Sequence, residues 1–106
     1  MTRIRFYIGL QDYGLQDYRA EKEAWQAIEA ELVNTFGWWT LYYVRGAWGS
    51  MVENLKVYET LTPVKRSAES LRELADKWAR LAGQESILWT QESVQAEFVW
   101  IMAGQE

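Results

Sequence analysis

Two residue types are missing from this chain altogether, cysteine and histidine. Without cysteine there is no disulfide scaffold, no thiol nucleophile and no thiolate metal site. Without histidine the commonest metal ligand and the commonest general base are absent too. Zinc centres and histidine-based triads are excluded, and neither a metal site nor a cofactor is expected. Long apolar runs are also missing. None approaches the ~18–20 residues that span a bilayer. The start, Met1-Thr2-Arg3-Ile4-Arg5-Phe6, lacks the apolar stretch of a signal peptide. A cytoplasmic protein with no membrane partner is the expectation. Nor is there a basic excess: the formal net charge is −4. Binding to phosphate backbones draws on lysine and arginine, so nucleic acid is not the expected partner.

What remains is enough for one domain over residues 1–106, with 49% apolar residues to fill a single core. Aromatics are in excess. Seven Trp, six Tyr and three Phe raise the question of which rings a core this small cannot hold.

The period of the apolar residues switches along the chain. Residues 3–9 alternate, with Ile4, Phe6 and Ile8 to one side and Arg3, Arg5 and Tyr7 to the other, which predicts a half-buried strand. Gly-Leu-Gln-Asp-Tyr then occurs twice in tandem, from Gly9 to Tyr18, and reads as a duplicated loop segment. A helix is predicted over 18–33, with Asp17 as N-cap and Trp25, Ile28 and Leu32 as its buried stripe. Asn34 and Gly37 bracket its exit. Residues 38–48 and 51–61 are rich in aromatic and β-branched side chains around Gly49-Ser50, a two-residue hairpin turn. Thr62-Pro63 predicts the N-cap and first position of a second helix over 63–82. Its stripe is Val64, Ala68, Leu71, Ala75, Trp78 and Ala82, and Gly83 closes it. Ile87–Thr90 and the alternating residues 94–101 predict two closing strands. The order is ferredoxin-like βαββαβ with an extra C-terminal strand, an α+β fold with two helices on one face of an antiparallel sheet.

Such a sheet leaves its other face bare. A turn at Gly49-Ser50 sets Val44 opposite Leu55, Tyr42 opposite Val57 and Trp38 opposite Leu61, apolar pairs assigned to the helix side. The bare face then carries Tyr7, Trp39, Leu41, Tyr43 and Tyr58, with Arg5, Arg45 and Lys56 among them. A patch of that kind is rarely left exposed by a solitary monomer. Arg5, Tyr7, Tyr43, Lys56 and Tyr58 are accordingly the candidate ligand or interface residues. A bulge in the first arm would swap its faces. Glu59 falls on the helix side, either reaching water at the strand end or acting as a partly buried acid or base.

Phe6-Tyr7-Ile8-Gly9-Leu10 looks like the first-strand motif of RNA-recognition domains, but Leu55-Lys56-Val57-Tyr58-Glu59 lacks the glycine and paired aromatics of the companion strand. Catalysis would rest on Glu, Asp, Tyr, Lys and Arg, and no constellation of them marks a catalytic residue. No phosphate-binding fingerprint is present; Gly46-Ala47-Trp48-Gly49 belongs to the hairpin turn.

Phe6-Tyr7-Ile8-Gly9-Leu10 together with Gly83-Gln84-Glu85-Ser86-Ile87-Leu88 resembles an uncharacterised family of small bacterial and phage ferredoxin-like proteins. Its members share a Tyr-hydrophobic-Gly first strand and a Gly-Gln-Glu-Ser segment before the closing strands. The family implies the fold and brings no established activity. Three functions follow as expectations. The first is a non-catalytic interaction domain that forms a homo-oligomer through the open sheet face. The second is a protein that sequesters a small aromatic or nucleotide-like ligand, with Arg5, Arg45 and Lys56 on phosphates and Tyr7, Tyr43 and Tyr58 stacking. The third is a dimeric enzyme using Glu, Tyr and Arg.

Overall fold

The computed structural model describes residues 1–10 and 18–101, with side chains at 1–10 and 21–101. The Gly-Leu-Gln-Asp-Tyr duplication falls mostly outside the described residues, as does the expected Asp17 cap. The elements are β1 (Thr2–Gly9), α1 (Tyr18–Phe36), β2 (Thr40–Trp48), β3 (Met51–Thr62), α2 (Ala68–Leu81) and β4 (Leu88–Ser93). The four strands form one antiparallel sheet in the order β2-β3-β1-β4. Both helices pack on one face of it, so the fold is α+β and ferredoxin-like.

The core lies between that face and the helices. Ile4, Phe6 and Ile8 are fully buried, as the alternation of β1 requires. From α1 come Ile28 and Leu32, and from α2 Leu71, Ala75 and Trp78. Phe6 meets Trp78 edge-on, with ring centroids 4.7 Å apart. The two helices are fastened by Glu31, which accepts from Lys77 Nζ at 2.6 Å and from the Trp78 indole N–H at 2.6 Å. Burial alone would raise the Glu31 carboxyl's pKa, but those two donors hold it below the usual carboxylate value.

Several boundaries differ from those expected. α1 runs three residues further, to Phe36, and stops at Gly37, whose φ of 93° continues no helix. Thr62 caps no helix. β3 continues through it because β1 starts early enough to pair Thr2 with Thr62. α2 therefore starts at Ala68, with Ser67 as N-cap accepting from Ser70 N–H at 3.1 Å. Val64 is left exposed in the connection. At the far end Gly83 has φ 66° and the Gln84 N–H reaches the Ala79 carbonyl at 2.8 Å, a glycine-closed helix end. β4 is longer than expected, reaching Ser93.

The extra C-terminal strand is not formed: residues 94–101 pair with no strand. No turn residue follows Ser93 to reverse the chain onto the free edge of β4. Instead the Val94 N–H bonds the Met1 carbonyl at 2.9 Å, and Phe98 comes to rest edge-on against Trp38 with centroids 5.8 Å apart. No described helix is long and apolar enough to cross a membrane.

Candidate ligand-binding cleft on the open sheet face

The turn at Gly49-Ser50 and the hairpin register hold: Val44 is opposite Leu55, Tyr42 opposite Val57 and Tyr43 opposite Lys56. The faces are the reverse of those expected. β3 pairs Tyr58 with Phe6 and Thr60 with Ile4, so Tyr58, Lys56, Tyr43 and Leu41 share the helix side with the core of β1. Tyr58 is fully buried beside Trp25 and Trp39. Its hydroxyl donates to Glu29 of α1 at 2.6 Å. Burial first, and then that bond, push its pKa well above the ordinary phenol value. The Lys56 ammonium lies 4.0 Å from the Trp25 ring centre, and burial lowers its pKa. Of the five candidate site residues, Arg5 and Tyr7 are on the open face, whereas Tyr43, Lys56 and Tyr58 are not. Arg45 follows Tyr43 onto the helix side of β2, exposed.

The buried phenol makes a testable statement about pH. Its stabilisation is whole below pH about 10, where an unfolded tyrosine titrates, and is lost as pH rises toward the higher folded value. The urea midpoint of the wild type is expected to fall steeply above pH about 10. Tyr58→Phe should start lower and fall less steeply. Parallel pH profiles for the two proteins would refute the assignment.

The open face carries a charged network in its middle. Glu59, expected on the helix side, is here opposite Arg5. It accepts from Arg5 Nε at 2.7 Å and from the Tyr42 hydroxyl at 2.9 Å. That bond raises the pKa of Arg5, and the same carboxylate raises that of Tyr42. Arg3 and Glu92 pair beside them. Val57, flanked on the same face by Tyr7 and Tyr42, is only 3% exposed although no helix covers it.

Beyond the network, at the Gly9 end, the face opens into a cleft of about 730 Å³. The β2–β3 hairpin extends past the end of β1, and its inner face brings Trp48, Met51, Glu53 and Leu55 to one wall. The connection from α2 to β4 supplies the other wall with Gln84, Glu85, Ser86, Ile87 and Leu88. Tyr7 and Gly9 are the floor. A Cβ on Gly9 would lie 2.6 Å from Gln84 Oε1 and 3.0 Å from Glu53 Oε2, so the bare glycine lets the two walls meet over the strand. The lining is aromatic and apolar with two carboxylates, an amide and a hydroxyl, and contains no lysine or arginine. Only Tyr7 of these was a candidate from the sequence. The second wall was missed: Gly83-Gln84-Glu85-Ser86 stood out in the sequence only as a family-like segment and a helix C-cap leading into a strand, not as part of a site. No cluster of Asp and Glu that could hold a metal occurs among the described residues.

An antiparallel sheet with one helix-covered face and a cleft on the other defines the class: an open-faced α+β sandwich. No protein-family model and no curated protein matches the chain. The fold is similar to that of a phage SAM lyase in complex with S-methyl-5'-thioadenosine. That match has TM-score 0.59 and 16% identity, over 86% of this chain and 79% of the other. It is also similar to a phage SAM lyase in its apo state, with TM-score 0.55 and 15% identity over 93% and 92% of the two chains.

Proposed function

We propose that the chain binds a small nucleoside-type ligand, neutral or positively charged, of the S-adenosylmethionine and S-methyl-5'-thioadenosine class. The observation that carries this reading is the lining of the cleft. Tyr7 and Trp48 offer rings to a purine, Met51, Leu55 and Leu88 offer apolar surface to a thioether, and Glu53 and Glu85 offer acceptors to ribose hydroxyls or a field for a sulfonium. The cleft is of the size small ligands occupy, on the order of 300–1,000 Å³. The fold it shares with a lyase that holds S-methyl-5'-thioadenosine supports the choice of ligand class. The same lining argues against the phosphate-bearing ligand expected from Arg5, Arg45 and Lys56, since none of these lines the cleft.

Titration calorimetry with S-adenosylmethionine, S-methyl-5'-thioadenosine, AMP and ATP tests this. Binding is expected for the first two and none for ATP. Trp48→Ala and Glu53→Gln should each weaken it about tenfold, or about 1.4 kcal/mol. Gly9→Ala should do the same without unfolding the protein, because the atoms it displaces are the ends of flexible side chains. No heat from either sulfur nucleoside, or tighter binding of ATP, would overturn the reading.

The open face carries other residues than those expected to drive self-association. Of the five residues that were to form its apolar patch, Trp39 and Tyr58 are in ring contact on the helix side, and Leu41 and Tyr43 share that side. Only Tyr7 remains. In their place the reversal of faces puts Tyr42, Val44, Trp48, Met51 and Leu88 on the open face, all exposed.

A further inference from the structure

The strand-like segment that joins no strand and a sheet edge that no described strand covers are in the same chain. β2 is an outer strand of the sheet, nine residues long, without proline and with one charge, Arg45. Soluble proteins usually blunt such an edge with charge, proline, a bulge or a cover. Residues 94–101 alternate as a strand does, yet Phe98, Val99, Trp100 and Ile101 are 52%, 78%, 81% and 95% exposed.

We infer that residues 95–101 of one copy add as an antiparallel strand to the free edge of β2 in a second copy. The register follows from charge and pattern. Setting Glu97 beside Arg45 places Phe98 next to Val44, Val99 next to Tyr43, Trp100 next to Tyr42 and Ile101 next to Leu41. All four pairs are apolar, and Tyr42, Tyr43 and Val44 are exposed in the single chain. A shift by one residue would put Phe98 and Trp100 on the other face and lose the charge pair. Neither Arg45 nor Glu97 makes an ion pair among the described residues.

The tail does not reach this place on its own chain. Phe98 is held at Trp38, six positions before Val44, or roughly 20 Å along a strand. A two-fold axis that sets the two β2 strands antiparallel solves the geometry, because each tail enters beside its own Trp38 and runs along the partner's β2 from Arg45 toward Leu41. Such an isologous exchange closes on itself. Each tail offers on the order of 500 Å² and covers a similar area of edge, so the reciprocal pair buries roughly 2,000 Å², enough for a stable dimer.

The full chain is expected to sediment as a dimer at high micromolar concentration. Trp100→Asp and Val44→Asp should each raise the dimer dissociation constant about 100-fold while leaving circular dichroism unchanged. Because the chain has no cysteine, Arg45→Cys and Glu97→Cys prepared separately and then mixed should form a disulfide dimer under mild oxidation. A monomer at every concentration overturns the inference. So does a dimer that survives both aspartates, or an Arg45→Cys/Glu97→Cys double variant that closes its disulfide within one chain. None of these outcomes depends on the ligand proposal.

Discussion

Replacing Trp78 with alanine is expected to lower the unfolding free energy by about 3–5 kcal/mol. Three elements meet on this side chain. It is fully buried, its ring lies against Phe6 of β1, and its indole N–H is held by Glu31 of α1. Truncation leaves a cavity that the flanking Leu71, Ala75 and Ala79 are too small or too constrained to fill. It also takes one of two donors from a carboxylate that half-burial has already stripped of water. A domain of this size has about 5–15 kcal/mol in all, so about a fifth or more of its stability rests on one residue. Trp78→Phe keeps most of the packing and loses only the hydrogen bond, and should cost roughly half as much or less. Urea denaturation monitored by far-ultraviolet circular dichroism reads both. An alanine variant within 1 kcal/mol of wild type, on the scale of an ordinary surface change, would show that the core is centred elsewhere.

The core was legible because its signals are local. Ile4, Phe6 and Ile8 alternate within one strand, Ile28 and Leu32 repeat within one helix, and Leu71, Ala75 and Trp78 repeat within another. The hairpin register was legible for the same reason, since Gly49-Ser50 sets every pair from Val44–Leu55 outward. Which side of that hairpin meets the helices was not. Both sides of β2 are rich in apolar groups, Tyr42 and Val44 on one and Leu41 and Tyr43 on the other. The choice between them is made by the pairing of β3 with β1, in which Tyr58 meets Phe6 across some fifty residues of sequence. No periodicity inside the hairpin reports that contact. Charges misled as well. Lys56 seemed to mark the open face, but a lysine can lie on the helix side when its stem packs on Trp25 and its ammonium sits over the ring. The cleft is non-local too, built from a hairpin tip and a helix–strand connection that only the folded sheet brings together.

Arg5→Ala should cost about 2–3 kcal/mol, the second-largest loss expected of a single change. The Glu59 side chain is only 12% exposed, and Arg5 Nε is its nearest cation at 2.7 Å; Arg3 Nε stands off at 3.8 Å. Without Arg5 the largely buried carboxylate keeps the Tyr42 hydroxyl and only the more distant Arg3 as a cation. Adding Glu59→Gln removes that charge, so the double variant should lose less than the two single losses combined, with a coupling of at least about 1 kcal/mol. Strict additivity would mean the pair is a surface contact with no influence on the fold. The same variant separates the two views of the open face. If phosphates were recognised there, Arg5→Ala would abolish binding of a nucleotide. With the ligand in the cleft, ringed by Tyr7, Trp48 and two glutamates, Arg5→Ala should lower stability but weaken sulfur-nucleoside binding by less than about tenfold, and only through Tyr7, which Arg5 also contacts, since a guanidinium already neutralised by Glu59 and Glu92 adds little field of its own.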